Sequence, residues 1–184
     1  MNRAQLTTRS KFLSLVLRHQ PELLDLTLDD AGWVAVDQLL DQLQSSQHPL
    51  TREQLQDVVQ KNSKQRFEFS EDGSRIRARQ GHSIPVDLGY APQSPPEILY
   101  HGTPEQFVES IRQSGLKPQQ RHAVHLHSDA NIAREVGRRR GRAVLLQIAA
   151  CAMHRAGHQF AVTGNGVWLT AHVPPEFIRF PEQP

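Results

Sequence analysis

From Pro85 to Pro96 the chain reads PVDLGYAPQSPP, four prolines in twelve residues with neither a helical nor an alternating pattern. Proline fixes its own φ, removes a hydrogen-bond donor and disfavours helix at the residue before it. No continuous helix or central strand runs through such a stretch, and it reads as a linker. The 184-residue chain is therefore expected to fold as two lobes, residues 1–85 and 97–184, joined by residues 86–96.

The first lobe opens on SKFLSLVLRHQPE, where Phe12, Leu13, Val16 and Leu17 form one apolar stripe at helical spacing. Pro21 ends that helix near His19 and leaves Arg18 and His19 at its C-terminal end, where a cation gains roughly 0.3–1 kcal/mol from the helix dipole. LDDAGWVAVDQLL gives a turn at Gly32, a short extended piece through Trp33 and Val34, then a helix near Val36–Leu43. Thr51 and Gln54 have the spacing of a capping box ahead of a third helix. RFEFSEDGSRIRARQ follows as a hairpin turning at Asp72-Gly73. Alternation puts Phe67 and Phe69 on one face of its first strand and Arg75, Arg77 and Arg79 on one face of its second. Three helices and a hairpin are the element order of a winged helix.

The second lobe alternates short strands with short helices, an α+β pattern. EILY leads as a strand into His101-Gly102-Thr103, and Thr103, Pro104 and Gln106 predict a capped helix ending at Gly115. AVHLH, AVLLQIAA, HQFAVT and VWLTAHV read as further strands, with Ser128 capping a helix over DANIAREV.

Composition narrows the chemistry. Net charge is only +2, but the basic residues cluster. Lys61, Lys64, Arg66, Arg75, Arg77 and Arg79 face only Glu68, Glu71 and Asp72 along one stretch, and residues 134–142 hold five arginines against Glu135. Two such patches on a nearly neutral chain suit phosphate-bearing partners. The single cysteine, Cys151, excludes an internal disulfide and suits a reducing cytoplasm; its apolar setting reads as core. No run approaches the length of a membrane span, and no heptad or large apolar stripe is present, so a monomer is expected. Neither a GxGxxG turn nor a GxxxxGK(S/T) loop occurs. His122, His125 and His127 are the nearest approach to a metal site. They lack a neighbouring cysteine and have only Asp129 as a local carboxylate, so no metal is expected.

In order along the chain, SKFLSLVLRHQPE, LDDAGWVAVDQLL, RIRARQGHS, LYHGT, AVHLH, VGRRRGRAVLL and NGVWLTAHVP resemble the NAD-dependent RNA 2′-phosphotransferase family over nearly the whole length. The resemblance implies an α+β protein with an N-terminal winged-helix RNA-binding lobe and a C-terminal NAD-binding lobe of ADP-ribosyltransferase type. It implies a catalytic quartet of Arg18, His19, Arg77 and Arg139, the last taken from the pattern VGxRxG with Arg138 and Arg140 at its variable positions. NAD contacts are implied for His101, Gly102, Thr103, His125, Ser128, Asn165, Gly166 and Val167. RNA contacts are implied for Arg75, Arg79, Gln80, His82 and Ser83. Where the family has serine after VHL, this chain has His127, followed at once by Ser128.

The reaction so implied uses NAD as a co-substrate and no metal. The RNA 2′-phosphate attacks the ribose of NAD and expels nicotinamide. Transesterification through the ADP-ribosylated phosphate then releases RNA with a free 2′-OH and ADP-ribose 1″,2″-cyclic phosphate. A phosphate monoester, with a second pKa of about 6, is already an anionic nucleophile and needs orientation more than a base. In keeping with this, no acid lies between Gly164 and Pro174, where many ADP-ribosyltransferases place an activating glutamate. Two other readings suit the same residues: a transferase that stops after the first step and caps a phosphorylated acceptor, and a winged-helix RNA binder without catalysis.

Overall fold

The structure is a computed structural model and describes residues 1–138 and 141–181. The chain divides into two compact units, Met1–Gly89 and Tyr90–Pro184.

The first unit is built on three helices, α1 (Arg3–Val16), α2 (Val36–Gln44) and α3 (Arg52–Gln60), and a small antiparallel sheet. β1 (Val34–Ala35), β2 (Phe67–Phe69) and β3 (Arg75–Ala78) lie in the order β1-β3-β2. Both bonds of the box at Thr51 are made: the Gln54 amide donates to Thr51 Oγ1 (3.2 Å) and the Thr51 amide to Gln54 Oε1 (3.1 Å). The Asp72 carboxylate holds the hairpin turn by accepting from the Ser70 and Ser74 hydroxyls, which lower its pKa to about 2. The apolar stripe of α1 is buried as its spacing predicts, with Leu13, Val16 and Leu17 at 0 % exposure against Leu39, Leu43, Leu55, Phe67 and Ile76. Each such side chain contributes roughly 1.5–3 kcal/mol by leaving water.

The second unit is a six-stranded antiparallel sheet in the order β7-β8-β5-β4-β6-β9. Its strands are β4 (Leu99–Pro104), β5 (Val124–His127), β6 (Ala143–Ile148), β7 (Ala161–Val162), β8 (Val167–Thr170) and β9 (Ile178–Arg179). Helices α4 (Val108–Ser114), α5 (Ala130–Gly137) and α6 (Ala150–Arg155) accompany it. Leu99, Leu126, Leu146, Ile148, Met153 and Phe160 form the centre of its core.

Four local expectations give way here. Thr103 caps no helix: β4 pairs with β6 through Thr103↔Val144 and Pro104↔Ala143, and a 3-10 turn, Glu105–Phe107, precedes α4. Asp129 rather than Ser128 caps α5, accepting from the amides of Asn131 and Ile132. The run read as one strand, AVLLQIAA, stops at Ile148 and re-forms as α6. Cys151 lies on that helix and is half-buried, not a core residue.

The proline-rich segment is tied down at both ends. The Asp87 amide donates to Asp30 (2.7 Å) in the first unit, and the Gln93 amide donates to Phe160 (2.7 Å) in the second.

Candidate functional site

The arginine–histidine pair emerges from the end of α1. The amides of His19 and Gln20 both donate to the Leu15 carbonyl, and Pro21 starts a separate 3-10 turn, Pro21–Leu24. The chain around His19 is thereby fixed to a helix anchored by its buried stripe. The segment Gly81–Ser83 closes on it from the far end of the hairpin. The Ser83 amide donates to the Arg18 carbonyl (3.0 Å), and Ser83 Oγ lies 2.9 Å from His19 Nδ1. Gly81 has φ +87°, a conformation that favours glycine, and the place its Cβ would take is 3.6 Å from Arg18 Nη1. Arg18 is thus half-buried against the Gly81 backbone, while the His19 ring beside it is exposed.

Arg77 is held more tightly than its position on a strand face suggests. Its side chain is 11 % exposed. Nε donates to Glu68 Oε1 at 2.7 Å, and Nη1 donates to the carbonyls of Ala31 (3.2 Å) and Leu88 (3.0 Å). The Trp33 ring covers one face, with Cζ 4.4 Å from the ring centroid. Arg75 reaches the same ring at 5.4 Å and pairs with Asp29, and Arg79 Nε donates to the Phe67 carbonyl. Sequence reasoning missed Glu68 and Trp33. Glu68 was legible by counting back across the Asp72-Gly73 turn, because it pairs directly with Arg77.

Of the other residues in that segment, Gln80 has its Oε1 buried with no hydrogen-bond partner among the described residues. His82 is fully buried, and the place a Gly32 Cβ would take lies 3.5 Å from its Nε2.

In the second unit, the residues singled out from the sequence fall into two groups. His101 Nδ1 lies 3.0 Å from the His125 carbonyl oxygen, which accepts only from an N–H. The proton is therefore on Nδ1, and Nε2 of the neutral ring is an acceptor. Burial lowers the His101 pKa, against the raising effect of the His125 carbonyl and with a smaller push from the Arg121 charge, so the neutral ring is favoured. His125 Nδ1 is in turn 3.0 Å from the Ala123 carbonyl. Gly102 between these groups is a packing residue, because a Cβ there would stand 1.8 Å from the Ala133 carbonyl oxygen of α5. Thr103 is buried on the same strand.

The second group sits where β5 ends and β8 begins. His127 pairs with Val167, which brings exposed Ser128 beside the Asn165-Gly166 turn. Thr163 braces the turn by donating from Oγ1 to Asn165 Oδ1 (2.6 Å) and accepting from the Val167 amide (3.1 Å). Val167 itself is buried against Ala123 and Leu169. Arg139 and Arg140 lie outside the described residues. Among the described residues no three His, Cys, Asp or Glu side chains gather into a metal-holding group, and no helix is long and apolar enough to cross a membrane.

A helix-and-hairpin unit that sets an arginine and a histidine side by side, followed by a unit built on a six-stranded sheet, makes this a mixed α/β protein of two units. The comparisons are more specific. Residues 4–172 match the RNA 2′-phosphotransferase, Tpt1 / KptA family. A probable RNA 2′-phosphotransferase of Pseudomonas aeruginosa is 53% identical over 180 residues, covering 97% of this chain and 99% of that one. One from Streptomyces coelicolor is 52% identical over 172 residues, covering 94% and 93%. The same name is carried by a Trichormus variabilis protein, 50% identical over 179 residues and covering 97% and 98%. The chain belongs to the RNA 2′-phosphotransferase family.

Proposed function

We propose that the chain removes an internal 2′-phosphate from RNA, using NAD as the acceptor and no metal, in the cytoplasm. The first unit is read as a winged-helix lobe and the second as an ADP-ribosyltransferase-like lobe. The reading is supported by family membership and, in the molecule itself, by one observation above the others: the Ser83 hydroxyl 2.9 Å from His19 Nδ1, on a histidine held just past the end of α1.

That arrangement makes His19 suited to proton transfer. In the protonated ring both nitrogens donate: Nδ1–H is directed to the Ser83 hydroxyl oxygen, and Nε2–H is the proton it has to give. His19 then protonates the departing RNA 2′-oxygen, a role of the kind worth 10²–10⁴-fold in rate. Arg18 beside it and Arg77 on the hairpin supply guanidinium N–H groups to a phosphate that is already largely dianionic at pH 7. Arg139 is proposed as the fourth member on sequence grounds alone. Arg75, Arg79, Gln80 and Ser83 are assigned to the RNA.

For NAD, the neutral ring of His101 offers Nε2 as an acceptor, which suits a sugar hydroxyl of a ribose-bearing ligand. His125, Thr103, Ser128 and the Asn165-Gly166 turn are the other groups assigned to hold it, with Gly102 and Val167 shaping the strands beneath. When bound, NAD supplies an electrophilic sugar carbon and a nicotinamide leaving group.

The test is a short RNA carrying one internal 2′-phosphate, incubated with the protein with and without NAD and in the presence of a metal chelator. NAD-dependent appearance of RNA 2′-OH with ADP-ribose 1″,2″-cyclic phosphate supports the proposal. RNA that keeps an ADP-ribosylated phosphate replaces it with a capping transferase. Unchanged RNA despite binding of both ligands replaces it with an RNA-binding protein.

A further inference from the structure

We propose that Glu68 is the positioning residue for Arg77, a role that rests on Arg77 taking the RNA 2′-phosphate. Glu68 on β2 stands opposite Arg77 on β3, and the two side chains are only 18% and 11% exposed. The carboxylate engages the Nε edge at 2.7 Å, two carbonyls hold Nη1, and Trp33 covers one face. A guanidinium gripped at its edge, at one terminal nitrogen and on a face cannot rotate about its last side-chain bonds, so its direction is set before any phosphate arrives.

Stability alone does not account for this pair. Removing two opposite charges from water costs about as much as their attraction returns, and an apolar pair on the hairpin would be as stable. The carboxylate also serves two cations, since its Oε2 lies 3.5 Å from Arg79 Nε. The trio keeps one net positive charge, so the pair orients Arg77 without cancelling the attraction for phosphate.

The two properties of Glu68 pull apart under substitution. Its oxygen orients Arg77, while its charge competes with the incoming phosphate. Glu68→Gln keeps an oxygen for Nε and drops the charge. Glu68→Asp keeps the charge and loses reach, and Glu68→Ala loses both.

The experiment measures kcat and KM for 2′-phosphorylated RNA together with the Arg77 Nε–H resonance in ligand-free protein, assigned by its absence in Arg77→Lys. Glu68→Gln is expected to hold kcat within about threefold and lower KM, with the resonance retained. Glu68→Ala and Glu68→Asp are expected to lower kcat by about tenfold to a hundredfold and to lose the protected resonance, because a misdirected group forfeits that much. Unchanged kcat in Glu68→Asp and Glu68→Ala would overturn the proposal. So would parallel falls in kcat and melting temperature across all three variants, the mark of a merely structural pair. The resonance is read without RNA or NAD, so a wild-type protein inactive on 2′-phosphorylated RNA would sink the phosphotransferase reading while the grip of Glu68 on Arg77 was still measured.

Discussion

In the first unit the groups assigned to chemistry are held by other side chains: His19 by Ser83, and Arg77 by Glu68 and Trp33. In the second, His101 is held by a carbonyl of the neighbouring strand and Gly102 by direct contact with α5, while Asn165 is braced by the Thr163 side chain. The difference has a physical origin. On the proposed reading, the guanidinium that faces a phosphate is aimed by Glu68, Trp33 and two carbonyls, while Glu68, Arg77 and Arg79 together keep a net positive charge. On the proposed reading, the strand surface assigned to a sugar offers a neutral acceptor and close backbone packing. Substitutions should therefore act on activity in the first unit and on stability in the second.

The largest effect expected on that contrast is Gly102→Ala. A methyl group placed 1.8 Å from a backbone oxygen has no room, and α5 cannot yield without lifting off the sheet. The variant should lose about 3 kcal/mol or more, read as a melting temperature far below that of the parent. A normal melting temperature would show that packing in the second unit is looser than described.

Ser83→Ala should be smaller and of the other kind. It removes the hydroxyl at His19 Nδ1 and should lower kcat by about tenfold, with melting unchanged within about 0.5 kcal/mol. Ser83→Thr, which keeps the hydroxyl, should restore most of the activity. An equal loss in both variants would mean that the backbone bond from Ser83 to Arg18 is what matters.

The smallest effect is a pH dependence. His101 has its pKa lowered in the fold, so the unfolded chain binds more protons there as pH falls. Its contribution to stability is complete above the unfolded value of about 6.5 and is lost as pH drops through the lower folded value, at no more than about 1.4 kcal/mol per pH unit. Urea unfolding at a series of pH values should show this slope and should show it flattened in His101→Gln. A slope untouched by that substitution would assign it to other groups.

Much of the first unit was legible because its signals are local. Thr51 and Gln54 cap α3 through their own side chains, the Asp72-Gly73 turn fixes the hairpin register, and the α1 stripe buries Leu13, Val16 and Leu17 with Phe12 partly buried beside them. The second unit was harder to read because pairing between distant strands overrode local signals. Thr103-Pro104-Glu105-Gln106 has the composition of a helix start, yet Thr103 and Pro104 are claimed by β6. AVLLQIAA is apolar throughout, so nothing in its periodicity marks the change from strand to helix at Ala149, and Cys151 followed the strand reading into the core. At the candidate site, Arg18, His19 and the HGT strand stood out as motifs. Glu68 was legible only by counting across the turn from Arg77, and Trp33, before β1, acquires meaning only once Arg77 is found beneath its ring.

The measurement that bears most directly on the account is single-turnover removal of a 2′-phosphate from RNA by wild-type protein and His19→Ala, with RNA affinity and melting temperature recorded for both. The account predicts that His19→Ala binds the RNA and melts like the parent but releases RNA 2′-OH at least about a hundredfold more slowly. A His19→Ala protein as fast as wild type would contradict it and move the chemistry away from the end of α1.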